Sequence, residues 1–85
     1  MKFSKQQLKK LLAGYRTITN AMETKLRDWG FELYRKRRHD VLVFPLGQKR
    51  LAFVSPKSVS DRRAGLNFAS VIYRTLVTEA ANSID

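Results

Sequence analysis

FELYRKRRHDVLVFPLGQKRLAFV, residues 31–54, is the stretch that decides the fold. It alternates as half-buried strands do. Phe31 and Leu33 fall on one face, with Glu32 and Tyr34 on the other. Val41 and Val43 likewise share a face opposite Leu42 and Phe44. Three strands are expected, over residues 31–37, 39–44 and 50–54. Pro45-Leu46-Gly47-Gln48 reads as the hairpin between the last two. The link between the first two, Lys36-Arg37-Arg38, is wholly basic.

Working outward, the segment before the strands is helical in pattern. Leu8, Leu11, Leu12, Tyr15, Ile18, Met22, Leu26 and Trp29 recur at the spacing of one helix face. Ser4 with Gln7 fits a capping box. Gly14 weakens the run by about 1 kcal/mol. Asn20 with Glu23 offers a second helix start, so a break into two helices fits the pattern as well. Gly30 is the expected stop. After the strands, Ser58 with Asp61 offers another cap. Phe68, Ile72, Leu76 and Ala80 then recur every four residues, flanked by Ala64, Ala69 and Tyr73. The expected class is α+β, in the order α–β–β–β–α. A three-stranded antiparallel sheet carries two helices on one face, in one domain over residues 1–85.

Composition narrows the chemistry. The chain has 85 residues and no cysteine, which excludes disulfides and thiolate metal sites. One histidine and seven acids argue against a dedicated zinc site, and no cofactor motif is present. An apolar signal-like run at the N-terminus and a membrane-length stretch are both missing, so a cytoplasmic protein is expected. The first helix is amphipathic and basic, but so short a chain needs its Leu and Trp stripe for the core. No membrane partner is therefore expected.

Charge is the informative quantity. Seventeen Lys and Arg against seven Asp and Glu give a formal net charge of +10. Such self-repulsion is best relieved by an anionic partner, with RNA preferred here over DNA. Between residues 35 and 63, Arg35, Lys36, Arg37, Arg38, Lys49, Arg50, Lys57, Arg62 and Arg63 face only Asp40 and Asp61. With Lys9 and Lys10 of the first helix, these are the candidate phosphate contacts. If the sheet follows its hairpins, the cluster is expected along one edge and one end of the domain. The plain alternative is a charged, solvated turn.

His39 follows the basic run directly. Cationic neighbours favour its neutral imidazole. A neutral imidazole beside a bound phosphate can take the 2′-hydroxyl proton of RNA, with Lys36, Arg37 or Arg38 stabilising the charge on phosphorus. The scheme needs no metal ion; Tyr34 is a guess for the general acid. Asp40 should point to the opposite face, against a His–Asp dyad. Ser55, Ser58 and Ser60 read as turn and cap residues. Trp29, Tyr34 and Tyr73 could stack on bases, although Trp29 continues the apolar stripe. Gly65 suits either an anion site at a helix start or a close helix–sheet approach.

Trp29-Gly30-Phe31-Glu32-Leu33, the basic turn, His39, the apolar strand and the glycine hairpin together resemble the HicA-like toxins. Ser60-Asp61-Arg62-Arg63-Ala64-Gly65-Leu66-Asn67 looks like the last-helix entry of phage-encoded relatives. The resemblance spans roughly residues 22–77. It implies a fold like the double-stranded-RNA-binding domain and metal-independent cleavage of messenger RNA. His39 would be catalytic, Gly30 at the turn position and Arg35 at a basic position. A HicB-like antitoxin would be the partner. The family's Gly-Ser before the histidine is Arg37-Arg38 in this chain. The competing expectation is a non-catalytic, phage-type interaction protein that binds DNA or blocks an acidic host protein.

Overall fold

The computed structural model describes residues 2–13, 15, 17–56 and 62–82. Its elements are α1 (Lys5–Leu12), α2 (Asn20–Asp28), β1 (Glu32–Arg35), β2 (His39–Leu46), β3 (Lys49–Pro56) and α3 (Arg62–Asn82). The α+β class and the three-stranded antiparallel sheet stand as expected, in the order β1-β2-β3. The first helical segment, however, is two helices.

Local chemistry explains the division. Ser4 and Gln7 form the capping box that starts α1. The helix ends at Ala13, whose ψ of 122° is extended. Thr19 then caps α2 through its side chain, which accepts from the Met22 amide at 3.2 Å. The cap is thus one residue earlier than Asn20. Between the helices, Tyr15 and Ile18 are both buried in the core. Burial of these two side chains outweighs the helical spacing that links them to Leu12 and Met22.

At the other end of α2 the Phe31 amide donates to the Leu26 carbonyl, and the Gly30 amide to Arg27. This is a Schellman stop, and Gly30 supplies its left-handed residue with φ at 103°. Gly47, with φ at 62°, serves the β2–β3 turn in the same way. Pro45 is tolerated in the central strand because β1 reaches only to Glu32, opposite Val43. Beyond that row no β1 amide ladder demands a donor from β2.

Leu33, Leu42 and Phe53 pair across the inner sheet face and are buried. Ala69, Ile72 and Leu76 of α3, with Leu8 and Leu12 of α1, complete the core. Phe3 was not part of the expected stripe, yet it centres an aromatic cluster. Its ring lies 5.2 Å from Trp29, 5.5 Å from Phe31 and 6.2 Å from Tyr73. Phe3 precedes the Ser4 cap and Leu8 lies four residues after it, the spacing of a hydrophobic staple. That signal is present in the sequence.

The opposite end of the core is polar. Asp40 and Ser55 pair across β2 and β3 and are buried, and Ser55 shares a hydrogen bond with the Tyr15 hydroxyl. Ser55 is therefore a strand residue of the interior rather than a turn residue. Burial raises the Tyr15 pKa above its ordinary value; the Ser55 bond works against this, and the Asp40 charge adds to it. The folded chain then binds more protons than the unfolded chain just above the unfolded value of about 10. Stability from the neutral hydroxyl is complete below that pH and is lost as pH rises through the raised folded value. Urea unfolding across alkaline pH should show this loss in the wild type and a flatter curve in Tyr15→Phe.

Candidate nucleic-acid interface

The strand register determines which cations can act together. Arg35 pairs with Asp40 at one end of the sheet, and Leu46 with Lys49 at the other. Eight residues of β2 separate the basic turn from the glycine hairpin, roughly 23 Å at strand rise. The expectation of one cluster along an edge and an end is therefore corrected. Lys36, Arg37 and Arg38 lie at one end of the sheet; Lys49 and Arg50 lie toward the other.

The two groups also differ in their bonding. Lys49 Nζ pairs with Glu79 at 3.0 Å. Arg50 reaches across the outer sheet face, over the Val43 row, to Glu32 and to the Tyr34 hydroxyl. Tyr34 first, and then Arg50, holds the Glu32 carboxyl below the usual range. Arg50 is stabilised as a cation in return. Arg35 is a brace: its guanidinium donates to the Ile18 carbonyl at 3.1 Å and to Glu23 at 3.0 Å. Arg27 and then Arg35 lower the Glu23 pKa. These ion pairs occupy Arg35, Lys49 and Arg50 within the fold. Their partners are 12, 30 and 18 residues away in the chain.

Lys36, Arg37 and Arg38 are exposed. Among the described residues, no hydrogen bond or ion pair engages their side chains. The turn closes by the Lys36 amide donating to the His39 carbonyl at 2.9 Å, leaving Arg37 and Arg38 at its tip. Neither arginine has a positive φ.

The same end collects further cations. Phe3 of the N-terminal segment packs on Tyr73, whereas Ala13, Lys9 and Lys10 share a cavity wall with Leu66. The α1 helix therefore runs antiparallel to α3, and its last turn, with Lys9 and Lys10, lies beside the start of α3. Arg63 is exposed there. The side chain of Arg62 is outside the described residues, as are Lys57, Asp61, Ser58 and Ser60. Glu79 is tied to the hairpin by Lys49, which places the far end of α3 there. Among the described acids at the basic-turn end, Asp40 is buried and Glu23 is held by Arg27 and Arg35. Asp28, Glu32 and Glu79 lie toward the hairpin.

His39 is half-buried and pairs with Pro56. It points away from the core, whereas Asp40 beside it is interior, so the two form no dyad. Lys36, Tyr34, Val41 and Val54 share the outer face with His39. Tyr34 does not suit the role of general acid for His39, because its hydroxyl donates to Glu32 at 2.6 Å, toward the hairpin. Trp29 is in the core, with Lys25 5.5 Å above its ring, and Tyr73 packs against Phe3. Gly65 is buried.

Comparison with known protein families, with curated proteins and with solved structures finds no match. Among the described residues, no three His, Cys, Asp or Glu side chains are grouped to hold a metal ion. No helix among them is long and apolar enough to cross a membrane.

Proposed function

We propose that this chain binds nucleic acid, RNA in preference to DNA, through its cationic end. One observation carries the reading. Basic segments far apart in the chain, at the end of α1, the β1–β2 turn and the start of α3, lie at one pole of the fold. Among the described residues, the acids are interior, bonded or toward the other pole. Arginines at the turn tip present paired donors to phosphate. Neutralising phosphates releases counterions, so the affinity must fall steeply with salt.

RNA is favoured because its 2′-hydroxyl gives His39 a task. The imidazole, beside Lys36 on the open sheet face, takes the 2′-hydroxyl proton. The 2′-oxygen bonds to phosphorus as the bond to the 5′-oxygen breaks. The products are a 2′,3′-cyclic phosphate and a 5′-hydroxyl protonated by solvent. Lys36 and the arginines offset the charge that develops on the phosphate oxygens.

Fluorescence anisotropy with RNA and DNA of one sequence, at two salt concentrations, tests the binding. Tight, salt-sensitive binding to RNA and weaker binding to DNA are expected. Binding that is absent, or indifferent to salt, overturns the reading. Incubation with single-stranded RNA then tests His39. The wild type should yield cyclic-phosphate ends at a rate that falls about 10²-fold or more in His39→Ala. Equal cleavage by both proteins removes the histidine from the mechanism.

A further inference from the structure

We propose that the helix-free face of the sheet is a platform for unpaired bases, so that the polymer held at the cationic end is single-stranded where it crosses the sheet. The inference rests on the nucleic-acid reading and specifies its substrate. The strand register sorts the face into rows. Lys36 and His39 form the first, Tyr34, Val41 and Val54 the second, and Glu32, Val43 and Ala52 the third. The helices lie on the other side, packed on one another and on the inner face.

Tyr34 is 42% exposed and Val54 60%. The Tyr34 hydroxyl is held at two points, donating to Glu32 at 2.6 Å and accepting from Arg50 at 3.1 Å. Its ring is thereby anchored on the surface in one orientation, with the valines of its row beside it. An anchored aromatic ring next to apolar side chains is what an unstacked base requires, and stacking is tolerant of sequence. Lys36 lies two residues further along the chain, just past the end of β1, roughly 6.6 Å on at strand rise, and the Arg37-Arg38 tip follows.

Charge complementarity selects the occupant. Glu32 is the one acid among the described residues of this face, and it is held by Arg50. Among the described residues, an anionic strand approaching from the basic turn meets no unbonded carboxylate as it crosses toward Tyr34. A duplex could contact the turn but would keep its bases hidden from the ring.

Anisotropy titrations with a single-stranded RNA and with a duplex of equal length, at one salt concentration, test the proposal. Tyr34→Ala should weaken single-strand binding about tenfold, with duplex binding and the salt dependence nearly unchanged. Tyr34→Phe, which keeps the ring but not its hydroxyl anchor, should restore part of the loss. Val54→Asp, at an exposed position, should also weaken single-strand binding. Circular dichroism melts of each variant confirm that it is folded. If Tyr34→Ala weakens both ligands equally, or neither, the platform is wrong while the binding reading stands. If the wild type binds no nucleic acid, the parent reading fails instead. A dimer in sedimentation that Val54→Asp dissociates would give the face to a second copy of the chain and overturn the proposal.

Discussion

Replacing Lys36, Arg37 and Arg38 together by alanine is expected to lower affinity for single-stranded RNA about a hundredfold at roughly 0.1 M salt. The figure follows from counterion release. Each phosphate neutralised on a single strand contributes a slope of about 0.7 in log affinity against log salt, so three contribute about 2. A salt titration should therefore become shallower by that amount as well as weaker. Lys49→Ala, which removes one charge, is the control. Lys49 lies at the hairpin, on the far side of the eight β2 residues, and is bonded to Glu79. Its loss should change affinity by less than about twofold, as expected of an exposed charge that already has a partner. A loss of about fivefold in Lys49→Ala, one third of the triple variant's loss on a logarithmic scale, would mean that net charge, and not its placement, governs binding.

Leu42→Ala should be the most damaging single change to the fold. Leu42 lies on the central strand between Leu33 and Phe53, with no exposed surface. Removing a leucine at such a site costs about 3 kcal/mol, through lost transfer energy and the cavity left behind. For a domain of this length that corresponds to a fall in Tm of about 15 °C. Val77→Ala, at an exposed position on α3, should shift the melt only slightly. Thermal melts followed by circular dichroism make the comparison. A small shift for Leu42→Ala would mean that the inner face is packed more loosely than its burial indicates.

Much of the fold is written in short-range pattern. The alternation of Leu33 and Tyr34, and of Val41 and Leu42, sorts the two sheet faces correctly because a strand has a period of two. Gly30 and Gly47 mark their turns because both positions need a positive φ. The division of the first segment is less legible. Tyr15 and Ile18 keep a helical spacing, and only the core that they enter draws them out of a helix. The cap at Thr19 competes with an equally plausible one at Asn20. Phe3 had a readable signal in the staple spacing, but one aromatic residue ahead of a cap says little about what it will meet.

The candidate site divides along the same line. The run from Arg35 to Arg38 is plain in the sequence, and His39 beside it. Which of these cations remain available is a tertiary fact. Arg35 is bonded to Glu23 from another element, Lys49 to Glu79 and Arg50 to Glu32. None of these pairings follows from local spacing. Nor does local spacing reveal that Lys9 and Lys10 lie at the pole of the basic turn, since that depends on α1 running antiparallel to α3.

The separation of the two poles has a kinetic consequence. A molecule with an unbonded basic turn at one end and most of its described surface acids toward the other has an electric dipole moment. Near a polyanion it experiences a torque as well as a pull. It rotates during approach until the arginine tip leads, so fewer collisions are wasted on the wrong orientation. Dissolved ions shorten the range of that torque, and the rate of encounter slows before any contact is made.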